Sequence, residues 1–285
     1  MKRIDKPDDK FRKISHSQLG KTVHKYFGLP GKFIGTLLNE IPDGENKEKR
    51  TDGGYKVELD GDEMIILIED ESSGVNKEEL LKIFGYSVTM RYLSSLPVCS
   101  VITTTVPLEG CDQYVFSSPT NKFLPIIISF NEFDGNQRLE KARIKVSNHE
   151  WWDDVEGYDL VNIPKMFDDG NDMILEEVCV LFSKMRMENK YIKYALGRCL
   201  RCMISKYAIT LDDVARLEGV IDMFKLKGDA DAYLEEIREE GRVEGRVEGR
   251  VEERVDLARK IAERLGMAEA VESSGLSVDQ ILNSP

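Results

Sequence analysis

The spacing of apolar and polar residues predicts an α/β core in the first part of the chain. Residues 51–72 have the pattern of a β-hairpin that turns at Asp60-Gly61. Apolar residues recur at helical spacing from Lys77 to Leu93, and two later apolar runs have the length and β-branched content of buried strands, Val98–Val106 and Lys122–Phe130. A strand, a helix and a strand in succession predict a βαβ unit with parallel strands.

Outside that core the pattern predicts mainly helices. Residues 1–25 are polar and basic and are expected to form an arm that leads into a first helix. Phe33–Glu40 has helical spacing and stops shortly before Pro42, as a helix does ahead of proline. Arg143–Val146 is predicted to be an additional edge strand, and Met173–Phe224 returns to helical periodicity. The predicted fold class is therefore an α/β core followed by a helical region.

The last part of the chain contains a low-complexity repeat. Residues 239–256 repeat Glu-Gly-Arg-Val every four positions, which in a helix would align the valines in one stripe beside the glycines. Each interior glycine costs a helix about 1 kcal/mol relative to alanine, and like charges four residues apart repel. The repeat is interpreted either as a flexible spacer or as a helix that forms a homo-oligomer with the same segment of a second subunit.

These patterns divide the chain into four segments. Residues 1–165 are predicted to hold the core and its basic N-terminal arm, 166–238 a helical region, 239–256 the repeat and 257–285 a short helical end. No apolar run is long enough to span a bilayer and the N-terminus has no signal-like pattern, so no membrane partner is expected.

The cysteine content favours a cytoplasmic protein. The five cysteines are an odd number without a neighbouring histidine pair, which argues against structural zinc and favours reduced thiols in the cytoplasm. Cys199 and Cys202, three residues apart on a predicted helix, are expected to face a core.

Charge is distributed unevenly along the chain. The formal net charge of −12 argues against a general nucleic-acid binder. Residues 1–32 nevertheless hold nine Lys and Arg against three Asp, whereas residues 40–80 are predominantly acidic. A basic segment beside an acidic one suits a phosphate polymer such as DNA, whose cleaved bond must meet a cation. A solvated surface of mixed charge is the alternative.

Three carboxylates lie at one end of the predicted hairpin. Asp52 begins the first strand, and Glu69 and Glu71 follow the apolar run Met64–Ile68. Residues two apart in a strand point to the same face, so Glu69 and Glu71 are expected side by side. Carboxylates at the end of a buried strand are costly unless they are hydrated, paired or bound to a cation. Asp52, Glu69 and Glu71 are therefore candidate ligands for Mg²⁺ or Mn²⁺.

Several segments together resemble one nuclease family. An Asp at the start of one strand and a Glu-x-Lys at the end of the next are the signature of the PD-(D/E)XK nucleases. The fuller pattern resembles the Rpn family of recombination-promoting nucleases, also described as transposases. The resemblance is carried, in chain order, by Arg50–Val57, Ile66–Ser73, Leu81–Tyr86 and the Glu-Gly-x-x repeats followed by Gly275–Ile281.

The resemblance implies a restriction-endonuclease-like mixed sheet flanked by helices and a Mg²⁺- or Mn²⁺-dependent DNA endonuclease active in recombination. By this similarity Asp52 and Glu69 would be catalytic metal ligands. The sequence departs from the family at Glu71, where the superfamily has Lys and many Rpn members have Gln. Glu71 would then add a metal ligand or weaken cleavage. Lys82 and Lys56 are the candidates for the missing positive charge.

An alternative function follows if the Glu71 departure abolishes cleavage. The chain would then be a catalytically degenerate nuclease-fold protein that binds DNA or assembles through the repeat. His16, His24 and His149 have no partner spacing and are assigned no catalytic role. Trp151-Trp152 would stack on nucleic-acid bases or cover the edge of the sheet.

Overall fold

The computed structural model describes residues 3–37, 40–41, 49–168, 171–223, 225–235, 238, 255, 259, 271, 274 and 276–283. Two compact units are present, residues 1–230 and residues 231–285. In the second unit Val255 and Ile281 are buried, and Arg259 Nε donates a hydrogen bond to the Ile281 carbonyl oxygen (2.8 Å). All of the 239–256 repeat except Val255 lies outside the described residues, so its helix and its oligomer interface stay predictions.

The helices and strands have the following bounds. The strands are β1 (Lys32–Thr36), β2 (Glu40–Ile41), β3 (Lys49–Arg50), β4 (Gly53–Leu59), β5 (Asp62–Glu71), β6 (Val98–Thr104), β7 (Val115–Ser118), β8 (Asn121–Phe123), β9 (Ile126–Ser129), β10 (Trp151–Trp152) and β11 (Arg186–Met187). The helices are α1 (Pro7–Gln18), α2 (Gly20–Tyr26), α3 (Lys77–Ser94), α4 (Gly135–Ser147), α5 (Asp154–Asn162), α6 (Asn171–Lys184), α7 (Lys190–Tyr207), α8 (Leu211–Ile221) and α9 (Val278–Asn283).

A mixed five-stranded sheet forms the centre of the first unit. Its strand order is β1-β4-β5-β6-β9. Strand β4 pairs antiparallel with β1 on one side and with β5 on the other. Strand β6 pairs parallel with β5 and with β9. Helix α3 connects β5 to β6, so the predicted βαβ unit is confirmed. The predicted α/β fold class, a mixed sheet with helices and a helical C-terminal region, is confirmed as well.

Strand β5 is apolar on both faces because both faces are covered. Ile66 and Ile68 belong to the main hydrophobic core, together with residues of α1, α5 and α7. On the other face Leu80 and Ile83 of α3 pack with Ile102 in a smaller core. This double burial explains the continuous apolar run in the sequence. Strand β5 emerges from the core at its C-terminal end, where acidic residues lie.

The predicted helical region corresponds to α6, α7 and α8, and α7 contributes many core residues. Cys199 and Cys202 are buried in it, as the sequence predicts, and all five cysteines are free thiols. Burial raises the pKa of Cys202 to about 11, so the thiol stays protonated near neutral pH. Among the described residues, no helix combines the length and the apolar content needed to cross a membrane.

Three local predictions are wrong. The helix predicted for Phe33–Glu40 is wrong: β1 occupies Lys32–Thr36, whose backbone pairs with β4 with a bulge between Phe33 and Gly35, and residues 38 and 39 lie outside the described residues. Arg143–Val146 is not an edge strand but part of α4, which begins where the Asp134 side chain accepts a hydrogen bond from the Gln137 backbone N–H. Most of the supposed N-terminal arm forms α1 and α2, which pack against the core.

Candidate functional site

Asp52 and Glu69 lie side by side at the open end of the β4–β5 hairpin. The ladder between the strands begins with Gly53 paired with Ile68, which puts Asp52 and Glu69 at the next position. The backbone N–H of Asp52 donates to Glu69 Oε1 (3.3 Å), and the backbone N–H of Asp70 donates to Asp52 Oδ2 (3.0 Å). The main chain of the hairpin therefore orients both carboxylates.

Glu69 is a buried acid with few hydrogen bonds. Only 4% of its surface is exposed, and in the described part of the chain it accepts one hydrogen bond, the 3.3 Å contact from Asp52. Burial and then the charge of Asp52 raise the pKa of Glu69 to about 9, and Lys82 partly opposes this shift. A cation beside this carboxyl group would offset the cost of ionising it.

Arg12 of helix α1 binds the other acid of the pair. Its Nη1 donates to Asp52 Oδ2 (2.9 Å) and to the carbonyl oxygen of Asp70 (2.7 Å). Burial, followed by the charge of Asp70, raises the pKa of Asp52, and Arg12 partly opposes the shift. The first helix thus places a permanent positive charge next to the candidate metal ligand.

Glu71 and Lys82 meet on the α3 side of β5. Lys82 Nζ lies 3.2 Å from Glu71 Oε1 and 2.7 Å from Glu79 Oε2. Burial raises the pKa of Glu71, and Lys82 opposes that shift. Burial also works against the charged ammonium group, yet the contacts with Glu79 and Glu71 leave the pKa of Lys82 raised. A protonated lysine from α3 therefore lies beside Glu71, at 3.2 Å from its carboxylate.

The structure places the other lysine candidate nearer the hairpin turn. Lys56 is opposite Ile65 in the ladder, and its Nζ lies 2.6 Å from Glu63 Oε2. Four residues of strand separate Lys56 from Asp52, a rise of about 13 Å. Lys56 is therefore not brought to the carboxylates. The sequence-predicted residues that do meet at the open end are Asp52, Glu69, Glu71 and Lys82.

Asp70 belongs to the opposite face of β5 and is held by α1. His16 Nε2 lies 3.1 Å from Asp70 Oδ2, and His16 Nδ1 lies 2.7 Å from the Tyr55 hydroxyl. The Thr103 hydroxyl donates to Asp70 Oδ1. Burial would raise the pKa of Asp70, but the hydrogen bond and the charge of His16 lower it to about 2. Asp70 is thus an ionised acid buttressed by neighbouring elements.

A cleft opens beside Asp70 where the parallel strands end. Three basic side chains, Arg12, Lys165 and Lys206, line it together with three acidic ones, Asp8, Asp70 and Glu71. Lys165 Nζ lies 3.6 Å from the centre of the Phe11 ring, and burial lowers the pKa of Lys165 to about 8, with Asp70 partly opposing the shift. Ligands of open sheets bind at the carboxyl ends of parallel strands, and Arg and Lys side chains bind phosphate there. This cleft adjoins the Asp52–Glu69 pair through Arg12.

Sequence reasoning missed four residues of this site. Arg12 and His16 were assigned to a loose arm, although their spacing of four residues places them on one face of a helix. Asp70 lies between the two glutamates and points to the other face of the strand, so it is not among the residues predicted for the site. Lys165 carries no sequence signal for the site. It lies on a short helical turn, Ile163–Met166, many residues after the last strand of the five-stranded sheet.

The donor set fits a hard divalent cation held by two carboxylates. No group of three or more His, Cys, Asp or Glu side chains within the described residues is arranged to hold a metal ion. Mg²⁺ usually takes one or two carboxylates from a protein, and water and substrate phosphate complete its shell. Asp52 and Glu69 supply that number, and the buried, sparsely bonded Glu69 carboxyl group is the observation that favours a cation here. Glu71 is directed to Lys82.

Close packing between β4 and His16 supports the site and leads to a testable prediction. A Cβ atom on Gly53 would lie 2.6 Å from His16 Cγ, whereas one on Gly54 would have its nearest contact at 3.4 Å. We expect Gly53→Ala to lower the free energy of unfolding by about 1–3 kcal/mol, because His16 must leave its position beside Asp70. Urea denaturation measures this change, and Gly54→Ala is the matched control. Equal stability of the two variants would contradict the packing.

Comparison of the chain with protein-family models, curated proteins and solved structures finds no match.

Proposed function

We propose that the protein is a Mg²⁺- or Mn²⁺-dependent DNA endonuclease of the Rpn type. The observation that carries the proposal is the adjacency of Asp52 and Glu69, joined by the 3.3 Å contact from the Asp52 N–H to Glu69 Oε1. Asp52 directly precedes β4 and Glu69 lies near the end of β5, the arrangement that the PD-(D/E)XK signature describes. A role in recombination follows from the same resemblance.

Each residue has a definite task in this proposal. Asp52 and Glu69 hold the metal ion, which when bound acidifies a water molecule and offsets charge on the phosphate. Arg12 and Lys82 supply fixed positive charge on the two faces of β5, where they bind phosphate oxygens and stabilise the charge that develops during hydrolysis. Glu71 contacts Lys82 and keeps it in place.

Basic side chains at the edge of the sheet support the proposed DNA partner. The cleft beside Asp70 brings Arg12, Lys165 and Lys206 there, although three acidic side chains also line it and the whole chain carries a net charge of −12. Arg and Lys side chains bind phosphate oxygens through charge-assisted hydrogen bonds. Free thiols at all five cysteines are compatible with the cytoplasmic location that we also propose.

A second candidate function is a non-cleaving DNA-binding member of the same family. The observation that favours it is the pairing of two of the three acids: Asp52 accepts from Arg12 at 2.9 Å, and Glu71 contacts Lys82 at 3.2 Å. In this alternative the ion pairs stabilise the hairpin, and the cleft beside Asp70 binds DNA without hydrolysis.

Nicking of supercoiled plasmid separates these functions and tests the role of Glu71. The proposed enzyme nicks in Mg²⁺ or Mn²⁺ and not in EDTA. We expect Glu71→Lys to raise the rate about tenfold, because a lysine at this position puts an ammonium group beside Glu69 and the phosphate. Glu79→Lys is the matched control, because it makes the same charge change and removes the other carboxylate partner of Lys82.

Each outcome of this assay has a definite meaning. Metal-dependent nicking by the natural sequence supports the nuclease. Nicking by the Glu71→Lys variant alone supports the non-cleaving alternative and identifies Glu71 as its cause. No nicking by either protein contradicts the proposed function.

A further inference from the structure

A cavity of about 430 Å³ lies in the helical part of the first unit. It is bounded by β10 and β11, by the end of α6, by the start of α7 and by residues that follow α8. It shares no lining residue with the cleft beside Asp70. Its volume falls in the range of small-molecule sites, about 300–1,000 Å³, and none of its residues has a role in the proposed hydrolysis.

The lining of this cavity carries excess positive charge. Arg186, Lys190, Lys193 and Lys225 line it, against Asp222 and Asp229. Within the described residues, none of the four basic side chains forms an ion pair with a carboxylate. Burial and then the charge of Lys190 lower the pKa of Lys193; the charge of Asp229 partly opposes this shift, and Lys225 adds to it. The cations therefore repel one another across a space that an anion would fill.

Two of the lysines are held in position by main-chain oxygens. Lys190 Nζ donates to the Met187 carbonyl oxygen (2.7 Å), and Lys193 Nζ donates to the Met185 carbonyl oxygen (2.6 Å). An ammonium group has three N–H donors, so each lysine keeps two for a ligand. Prior placement lowers the entropy cost of binding.

An exposed aromatic ring forms one side of the same cavity. Trp151 is 56% exposed while its neighbour Trp152 is buried, since successive residues of a strand point to opposite faces. The Arg186 guanidinium lies 4.6 Å from the centre of a Trp151 ring. Trp152 packs in the main hydrophobic core. Trp151 keeps more than half of its surface exposed, so the part of its ring that Arg186 does not cover can stack on a planar group.

We propose that this cavity binds one nucleotide unit, with its base stacked on Trp151 and its phosphate bound by Lys190, Lys193 and Lys225. Exposed aromatic rings beside basic side chains bind single-stranded nucleic acid in this way. A free mononucleotide and a nucleotide within a single strand share this chemistry. The site binds without a metal ion and without cleavage, so it stands or fails separately from the Asp52–Glu69 pair.

Tryptophan fluorescence tests the proposal directly. The chain has two tryptophans, and Trp152→Phe leaves Trp151 as the single reporter. This protein is titrated in EDTA with deoxyadenosine monophosphate, with a single-stranded deoxyadenosine oligonucleotide and with inorganic phosphate. We expect saturable quenching by a nucleotide or by the oligonucleotide, because the base stacks on Trp151, and no quenching by phosphate. Quenching by the mononucleotide and by the oligonucleotide identifies a site for a single nucleotide. Quenching by the oligonucleotide alone identifies a site for a nucleic-acid strand.

Charge reversal at Lys225 provides the matched comparison. Lys225→Glu is expected to weaken binding about tenfold or more, since it removes a charged contact and repels the phosphate. Lys227→Glu makes the same change at an exposed residue outside the cavity and should bind normally. Anisotropy of a labelled oligonucleotide repeats the comparison in a chain that keeps both tryptophans, so the test does not depend on folding of Trp152→Phe.

The proposal is overturned if neither measurement detects binding, or if Lys225→Glu and Lys227→Glu bind equally well. If the natural protein nicks no plasmid while Trp151 is still quenched by the nucleotide, the nuclease proposal fails and this site remains.

Discussion

Replacing Asp52 with asparagine is expected to lower the rate of metal-dependent plasmid nicking by about a thousandfold. Asparagine keeps the shape of the side chain and one oxygen acceptor, but it removes the negative charge that attracts a divalent cation. It also leaves Arg12 without the carboxylate that it contacts at 2.9 Å. The loss is expected in the catalytic rate, because in the proposed reaction the metal ion would act on the attacking water and on the phosphate.

The control for this prediction comes from the same hairpin. Asp62 is exposed at the start of β5, so Asp62→Asn makes an identical chemical change away from the open end. Circular dichroism confirms that both variants are folded before the nicking rates are compared. Nicking by Asp52→Asn at the rate of Asp62→Asn would show that Asp52 holds no catalytic metal ion.

Replacing Glu69 with glutamine is expected to stabilise the metal-free protein at about pH 8 by a few kcal/mol. In the native state burial and the charge of Asp52 raise the pKa of Glu69 to about 9 from the ordinary value of 4.5. Between these two values the unfolded chain has released the proton, whereas the native protein must keep it or bury a charge. The native state therefore binds more protons, and its stability falls as pH rises through this window.

Glutamine is neutral at every pH and removes that dependence. Chemical denaturation at about pH 5 and pH 8 in EDTA should show a smaller loss of stability for Glu69→Gln than for the natural protein. Glu58→Gln, at an exposed position of β4, is the control for a general change in charge. If the stability of Glu69→Gln falls with pH as steeply as that of Glu58→Gln, Glu69 is not a buried acid with a raised pKa.

The sequence was sufficient to predict the hairpin because its signals are local. The apolar run Met64–Ile68, the turn at Asp60-Gly61 and the spacing of Glu69 and Glu71 lie within a short segment, and strand geometry determines which side chains share a face. The βαβ unit was equally predictable, because α3 directly joins β5 to the parallel strand β6.

Other predictions of secondary structure were wrong because residues outside the segment determined its structure. Phe33–Glu40 has helical spacing, yet the exposed edge of β4 is available to Lys32–Thr36 and the segment pairs there as a strand. Arg143–Val146 contains β-branched residues, but it belongs to helix α4, which begins nine residues earlier at the Asp134 cap. Tertiary contacts override short-range propensity in such cases.

The cations of the site were only partly predictable. Lys82 is eleven residues from Glu71, one helix along the chain, and its contact with that acid follows from the position of α3. Arg12 is 40 residues from Asp52, and His16 is 54 residues from Asp70. Nothing in the local pattern links these partners, because packing of α1 against the sheet creates the contacts. Lys56 has the right residue type, but the ladder places it too far along the strand.

Binding of Mn²⁺ to the metal-free protein tests the central claim most directly. The claim is that Asp52 and Glu69 together hold one divalent cation, whatever the rate of cleavage. Calorimetric titration at about pH 8, where ion binding must displace the proton of Glu69, should show one Mn²⁺ per chain for the natural protein and for Glu58→Gln. Asp52→Asn and Glu69→Gln should each lose that binding. Equal binding by all four proteins, or none by the natural protein, would contradict the account.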